Sequence, residues 1–305
     1  GVVAPCQPVV QARFRARSTA VFRMIRLLLT LLFTLGVAPS LAAWQAGGPY
    51  PFGVLNHRSV TLTAEYWNPI LAWVSVRAGV PLTLRIARTA NETTDMATRG
   101  ELAFVYTNHL FTPQRDRLGY TVIARQEGEG IRGQIVVPAS SPVTRLEDLA
   151  GQAVAFANPY AFVGYFVPYD ALLKAGIEVR PVFAGNQEAA MGLLRHGKVA
   201  AAGVNHQVMA DYARREGFAY RILWQSQPYY DLAVMAHPAV PEKVRLAVRE
   251  ALLALKTDPE GQKVLAEAAA RLKLPAPRGF VAAGDHDYDA YRSFFKQTRV
   301  PLEGQ

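Results

Sequence analysis

The stretch that decides the fold is QIVVPASSPVTRLEDLAGQAVAFANPYAFVGYFVPYDALLKAGI, which covers residues 134–177. An apolar strand at residues 134–138 is followed by a turn and short helix at 140–149 and by a second apolar strand at 153–157. A polar turn then leads into a second helix, which ends at Gly176. In an open α/β sheet, free N–H groups and the helix dipole meet where a strand ends and the next helix starts, and small ligands bind there. The stretch therefore predicts a binding site and its place in the fold.

The N-terminal part of the chain has the features of an export signal. Met24 is the expected start, and residues 1–23 precede it. Residues 24–43 contain an arginine, an apolar run and small residues, and Ser40 and Ala42 fit the −3 and −1 positions of a cleavage site. An uncleaved membrane anchor is the alternative, but the apolar run is shorter than the roughly 20 residues that span a bilayer. We therefore predict a cleavable signal peptide and a periplasmic mature protein.

The formal net charge of +9 is misleading, because it includes the signal region. Residues 1–43 contain five arginines and no acidic residue. Removing these five from the 33 basic residues leaves 28 against 24 acidic residues, a net charge of +4. A charge this small gives no electrostatic footprint for nucleic acid. We expect no nucleic-acid partner.

Cysteine usage and motifs argue against several chemistries. The single cysteine, Cys6, precedes the predicted signal peptide, so the mature chain has no disulfide and no cysteine-ligated metal. The sequence also lacks the motifs of serine hydrolases, phosphate-binding loops, dinucleotide-binding folds and zinc peptidases. We therefore predict a protein that is not an enzyme and that has no cofactor and no metal site.

The order of the predicted elements indicates two lobes. Strands and helices alternate along the chain, which is typical of mostly parallel sheets covered by helices, and two helical segments close the chain. Two connectors, at residues 127–133 and 226–231, bracket a compact α/β unit. We predict lobe I from residues 44–133 and 229–305 and lobe II from residues 134–228. Such lobes close around a ligand by hinge motion.

Five short patterns occur in an order that is typical of one family. They are YWNPILAW (66–73), GELAFVYTN (100–108), IVVPASSPVTRLEDLAG (135–151), AVAFANP (153–159) and GKVAAAG (197–203). Together they resemble the periplasmic substrate-binding proteins of phosphate, phosphite and phosphonate ABC importers, over about residues 50–240. The resemblance implies a type II periplasmic-binding-protein fold, α/β in class, with two lobes joined by two crossing segments.

Two departures from the family pattern concern the ligand. The family has Ser-Thr-Ser-Gly at the helix start, where this chain has YAFVG at residues 160–164. The family motif Gly/Ser-x-His-Asp is replaced by GNQE at residues 185–188. A hydrogen bond to a charged group contributes roughly 1.5–3 kcal/mol, so the loss of two costs about 3–6 kcal/mol. The departures therefore predict a ligand other than phosphonate, with less charge.

Candidate ligand-binding residues lie where strands end, at helix starts and in the second connector, which are the positions that face the cleft of a two-lobe receptor. They are Tyr66, Tyr106, Thr107, Asn108, Asn158, Tyr160, Ala161, Gly164, Asn186, Asn205, His206, Tyr229 and Asp231. The N–H groups at residues 161–164 suit a partial negative charge. We predict non-covalent binding by aromatic walls, Asn and Thr side chains and this helix start.

Several candidates have a structural alternative. Tyr66 fits the packed face of a helix, and Asn158 and His206 fit cap positions. Tyr229 either stacks on a ligand or separates the lobes. The acidic run at residues 285–289 suggests a metal site, but acids at a helix start complement the helix dipole and explain the run better.

The predicted function is capture of a small polar or anionic ligand, of the phosphonate, phosphate or another oxyanion class, for an ABC importer. The expected partner is the ABC permease, and a monomer is expected. The alternative is a sensory role, in which the closed protein is presented to a membrane sensor kinase. An enzyme on the same fold is the least supported alternative.

Overall fold

The structure is a computed structural model that describes residues 43–303. The predicted signal peptide lies outside the described residues. Within residues 43–303, no helix has both the length and the apolar character that a membrane span requires.

Strands and helices alternate through most of the described chain. The strands are β1 (Tyr50–Val54), β2 (Leu82–Arg85), β3 (Phe104–Thr107), β4 (Thr121–Gln126), β5 (Gly133–Pro138), β6 (Ala153–Phe156), β7 (Arg180–Phe183), β8 (Ala201–Asn205), β9 (Tyr220–Gln225), β10 (Ala233–Ala236) and β11 (Phe280–Ala282). The α-helices are α1 (Val60–Ala78), α2 (Ala90–Thr98), α3 (Pro113–Asp116), α4 (Val167–Lys174), α5 (Gln187–Arg195), α6 (His206–Glu216), α7 (Glu242–Ala254), α8 (Pro259–Arg271) and α9 (Asp289–Gln297).

The strands form two separate sheets. The first has the order β11-β4-β10-β3-β1-β2, and the second has the order β7-β6-β8-β5-β9. The pairs β1–β2, β1–β3, β6–β7 and β6–β8 are parallel, and the other five pairs are antiparallel. The expectation of mostly parallel sheets was therefore wrong. Four of the five antiparallel pairs involve β5 or β10, because the chain enters each sheet from the other at these strands and runs against their neighbours; the fifth pair is β4 with β11.

Two segments carry the chain between the sheets. One connects β4 to β5 and the other connects β9 to β10. They touch at an antiparallel bridge, in which the N–H of Ile131 donates to the carbonyl of Tyr229 at 2.7 Å and the N–H of Tyr229 donates back at 2.8 Å. Gly130 has a φ of 93°, and a Cβ atom there would lie 2.5 Å from the Tyr229 carbonyl oxygen. Only glycine fits this approach.

The helix predicted after Asn158 begins as a π-helical turn. This turn covers Phe162–Phe166, and α4 follows it. The N–H of Phe166 bonds the carbonyl of Ala161 at 3.0 Å, which is the wide i to i+5 spacing. Pro168 follows within two residues and supplies no N–H for a regular α-helical bond. The turn therefore differs from the regular helix that the apolar spacing predicted.

The end of the chain holds more than the two helical segments that were predicted. The helices α7 and α8 are present, but β11 and α9 follow them, and β11 pairs with β4 at the edge of the first sheet. A strand of three residues is too short to show alternation, which is why it was missed. The acidic run at residues 285–289 lies at the start of α9, with the Asp287 carboxylate accepting from the N–H of Gly284 at 2.9 Å. The helix-start interpretation of these acids is confirmed.

Gly130→Ala is expected to lower the free energy of unfolding more than Gly151→Ala. Gly151 also has a positive φ, 73°, but a Cβ atom there has open space. Gly151→Ala then costs only the left-handed backbone penalty of about 1–2 kcal/mol. Gly130→Ala adds a backbone clash, which costs at least about 1 kcal/mol more. Urea denaturation of both variants measures the difference, and equal losses would contradict the close approach at the bridge.

Candidate functional site

A small cavity, here called the cleft cavity, lies between the two sheets. Its volume is about 50 Å³. Its lining comes from the carboxyl ends of β1, β3, β4 and β8, from α1 and α6, from the second crossing segment and from the segment after α8. The lining residues are Leu55, His57, Arg58, Thr63, Tyr66, Trp67, Tyr106, Gln126, Asn205, Gln207, Val208, Asp231, Leu272, Leu274 and Arg278. The position matches the rule that open α/β sheets bind ligands beyond the carboxyl ends of their parallel strands.

Two tyrosine hydroxyls are held in place at the first-sheet wall of the cleft cavity. The hydroxyl of Tyr106 donates to Oε1 of Gln126 at 2.7 Å, and Nε2 of Gln126 donates to the hydroxyl of Tyr66 at 3.5 Å. Burial raises the pKa of both phenols. Among residues 43–303, the Tyr66 hydroxyl donates to no protein acceptor. Its proton is therefore available to an acceptor atom in the cavity.

Arg58 joins the two sides of the cleft. It follows β1, and its side chain reaches Glu188 on α5 (Nε to Oε1, 3.6 Å) and Asp211 on α6 (Nη2 to Oδ2, 3.8 Å). Arg278 also pairs with Asp211, at 3.4 Å. The Nε atom of Arg58 is buried and has no hydrogen-bond partner within the described residues. A buried N–H without an acceptor is costly, and an anionic ligand in the cavity would satisfy it.

Asp231 is the acidic group of the cleft cavity. Its side chain is buried, and Oδ1 accepts from the N–H of Leu232 at 2.7 Å. Burial raises the pKa of this carboxyl to about 6, although the Leu232 N–H and nearby arginines, Arg278 first among them, act in the opposite direction. The cavity thus combines two guanidinium groups with one carboxyl that is easily protonated.

A second and smaller cavity, here called the helix-start cavity, lies at the π-helical turn. Its volume is about 10 Å³, which is room for one water molecule. Its lining residues are Leu55, Asn56, His57, Ala90, Asn108, His109, Asn158, Ala161, Phe162, Val163, Gln187, Asn205 and Leu232. Gln187 packs directly on Gly164, and its Oε1 accepts from the N–H of Asn205 at 3.2 Å. The glutamine therefore covers the helix start in this arrangement.

The structure places some of the predicted site residues at three cavities and the others outside them. Tyr66, Tyr106, Asn205 and Asp231 line the cleft cavity, and Asn108, Asn158, Ala161 and Asn205 line the helix-start cavity. Tyr160 faces a third cavity on the far side of the helix start. Gly164 lies under Gln187 and Tyr229 lies in the crossing bridge. Thr107, Asn186 and His206 accept backbone N–H bonds from His109, Ala189 and Arg132 respectively, at 2.8–2.9 Å.

Asparagines at the strand ends act as caps in this structure. Asn186 caps α5, and Asn205 caps α6 by accepting from the N–H of Gln207 at 2.9 Å. Asn158 accepts from the N–H of Tyr160 at 2.8 Å in the turn before the π-helical segment. Asn158 and Asn205 also line a cavity, so a turn role at Asn158 and a cap role at Asn205 coincide with positions at a cavity.

Sequence reasoning missed the two arginines of the cleft cavity, Arg58 and Arg278. Arg58 follows β1 in the run Asn56-His57-Arg58, and a polar run directly after an apolar strand is a signal that could have identified it. Gln187 and Glu188 were noted only as departures from a family motif. Arg278 lies in an irregular segment after α8, and nothing in its sequence surroundings indicates that it faces the cleft.

The fold and cleft position match one protein family. Residues 52–288 match the family described as "ABC transporter, phosphonate, periplasmic substrate-binding protein". The chain belongs to this family. It is therefore a periplasmic substrate-binding component of an ABC transporter, and it works with a permease. Members of this family are binding proteins and not enzymes. The resemblance seen in the sequence is confirmed.

Solved structures show the same fold at low sequence identity. PhnD1 from Prochlorococcus marinus, solved with methylphosphonate, is 16% identical with a TM-score of 0.68, covering 81% of this chain and 97% of that chain. A binding protein component of an ABC phosphonate transporter from Pseudomonas aeruginosa is 17% identical with a TM-score of 0.69, covering 81% and 85%. XAC2383 from Xanthomonas citri, bound to ATP, is 17% identical with a TM-score of 0.62, covering 83% and 99%. The predicted type II fold is confirmed. A comparison with curated protein sequences gives no match.

Asp231→Asn is expected to remove a pH dependence of stability. Because the pKa of Asp231 is about 6 in the folded protein and 3.8 ordinarily, the folded state binds this proton more tightly than the unfolded chain. Its contribution to stability is therefore present below about pH 4 and lost as the pH rises through about 6. The free energy of unfolding of the variant, measured relative to that of the wild type, should therefore rise by about 2–3 kcal/mol between pH 4 and pH 7. Urea denaturation without ligand measures this, and a constant difference across that range would contradict the burial of the carboxyl.

Proposed function

We propose that the protein captures a small oxyanion of the phosphonate class in the cleft cavity and delivers it to its ABC permease. One observation carries the proposal. Two guanidinium groups, of Arg58 and Arg278, face one enclosed cavity together with the phenols of Tyr66 and Tyr106. Guanidinium forks bind oxyanions by charge-assisted hydrogen bonds, and phenols add neutral donors.

The arginines offset the missing hydroxyl cluster. The absence of hydroxyls at residues 160–164 suggested a less charged ligand, at a cost of about 3–6 kcal/mol for an oxyanion. Two hydrogen bonds from Arg58 and Arg278 to an oxyanion contribute a free energy of about the same magnitude. A fully charged oxyanion is therefore still the favoured ligand. The proposed binding position is the cleft cavity and not the helix start. The complex of PhnD1 with methylphosphonate supports this ligand class.

The size of the cleft cavity favours a ligand with a compact head group. At about 50 Å³, it has room for the oxygens of a phosphonate and little more. A molecule as large as ATP, which is bound to XAC2383, would not fit this closed arrangement. A short substituent that carries an amine would find Asp231 within the same cavity.

The two lobes that enclose the ligand are residues 44–133 with 229–305, and residues 134–228. The bridge between Ile131 and Tyr229 supports a hinge at the two crossing segments. The pairs from Arg58 to Glu188 and Asp211 cross from one lobe to the other and stabilise the closed arrangement. A closed monomer suits docking to a permease. The same closed form would suit a membrane sensor kinase, which is the alternative partner.

Arg278→Met is expected to weaken the binding of methylphosphonate by roughly 10- to 100-fold, because one charge-assisted hydrogen bond is lost. Isothermal titration calorimetry with methylphosphonate, phosphite and phosphate measures the effect. Arg271→Met is the matched control, because Arg271 is exposed at the end of α8 and should leave affinity unchanged.

The proposed ligand class would be refuted if none of the three oxyanions bound to the wild type at millimolar concentration. The proposed position would be refuted if the Arg278 and Arg271 variants bound methylphosphonate equally well. A neutral molecule of similar shape, dimethyl sulfone, should not compete.

The signal peptide is expected to be removed between Ala42 and Ala43 during export. Expression in a bacterium with a periplasm, followed by N-terminal sequencing of the periplasmic fraction, tests the site. Ala42→Arg should block the cleavage, because a signal peptidase requires a small residue at this position. Recovery of the intact N-terminus on periplasmic wild-type protein would contradict the prediction.

A further inference from the structure

A third cavity, here called the Arg115 cavity, lies apart from the cleft cavity. Its volume is about 460 Å³, which is within the range of ordinary ligand pockets and far above that of the cleft cavity. The residues that matter for its chemistry are Asn91, Arg115, Tyr160, Phe166, Leu302 and Glu303. None of them lines the cleft cavity or the helix-start cavity.

The walls of the Arg115 cavity come from three parts of the fold. Asn91 on α2 and Arg115 on α3 belong to the side of the first sheet. Tyr160 precedes the π-helical turn and Phe166 is its last residue, and both lie on the side of the second sheet. Residues 301–303, beyond α9, complete the lining. A molecule in this cavity would therefore touch both sides of the closed protein.

Arg115 provides a buried positive charge. Only 6% of the residue is exposed, and its guanidinium lies 3.9 Å from the centroid of the Tyr160 ring. Nη1 donates to the carbonyl of His109 at 3.2 Å, and Nη2 donates to Oε2 of Glu303 at 3.1 Å. A buried guanidinium needs an anionic partner, and Glu303 has this role. The Glu303 side chain is 55% exposed, so its carboxylate can leave for solvent at little cost.

Two further features define what the cavity would bind. Oδ1 of Asn91 is buried and has no hydrogen-bond partner within residues 43–303, so it can accept from a donor on a ligand. Tyr165, Phe166 and Leu302 supply apolar surface in the same lining. The suitable ligand has a carboxylate, an apolar ring or chain, and an O–H or N–H donor.

We propose that the Arg115 cavity is a second ligand site, which binds a small carboxylate with an apolar body and a hydrogen-bond donor, and that the ligand carboxylate replaces Glu303 on Arg115. Nη2 of Arg115 already donates to a carboxylate oxygen, and a ligand carboxylate could accept the same charge-assisted hydrogen bond. This inference does not depend on which oxyanion occupies the cleft cavity.

The probe for this site is 4-hydroxybenzoate, with 4-hydroxybenzamide as its neutral counterpart and benzoate as the counterpart without the hydroxyl. Calorimetry on the full chain should show saturable binding of 4-hydroxybenzoate, weaker binding of benzoate and no binding of the benzamide. Glu303→Gln should raise affinity up to about 5-fold, because the internal competitor loses its charge.

Three variants separate this site from the cleft cavity. Arg115→Met should reduce binding of the probe more than 10-fold. Leu302→Asp places a negative charge in the lining without touching Arg115, and it should also reduce binding if Arg115→Met fails to fold. Arg278→Met should leave probe binding unchanged while it weakens methylphosphonate.

The proposal is overturned if 4-hydroxybenzoate shows no saturable binding at millimolar concentration to either the wild type or the Glu303→Gln variant. It is also overturned if the probe binds equally well to the wild type and to the Leu302→Asp variant, or if Arg278→Met removes its binding. Failure of methylphosphonate to bind would concern the cleft cavity alone, because the probe is titrated in the absence of any oxyanion.

Discussion

The arrangement of the two sheets depends on the backbone bridge between the two crossing segments. The paired hydrogen bonds between Ile131 and Tyr229 hold the segments together, and Gly130 lets the two backbones approach. Because the chain crosses here twice, it enters the second sheet at β5 and returns to the first sheet at β10, and both strands run antiparallel to their neighbours. The ends of β1, β3 and β8 meet at the resulting cleft.

Charged side chains connect the two sides of the cleft. Arg58 pairs across the cleft at distances of 3.6 and 3.8 Å, which are longer than hydrogen bonds, and its Nε remains unsatisfied. Asp231 is buried with a raised pKa in the same cavity. Buried polar groups without partners cost free energy, so the unsatisfied Nε of Arg58 lowers the stability of this arrangement of the cleft.

Local patterns predicted most of the architecture. Apolar strands followed by turns and amphipathic helices gave the elements around residues 134–177, and two connectors gave the two-lobe arrangement. Local patterns did not identify β4, β11 or α9. Of these, β11 has only three residues, which is too short to show alternation. Four predicted site residues line the cleft cavity, yet Arg58 and Arg278 were missed. These two arginines are 220 positions apart, and only the folded chain brings them to one cavity.

The sequence by itself determined the alternation of strands and helices, because this depends on turns and on the spacing of apolar residues along the chain. It also carried the family pattern in five short motifs. The tertiary structure decided the charge of the cleft. The apolar run at residues 160–164 indicated a weakly charged ligand, whereas the fold places guanidinium groups from distant segments at the same cavity. It also placed Glu303 against Arg115 and Gln187 over Gly164. Long-range electrostatic contacts have no local signature, since the partners are chosen by the packing of whole lobes.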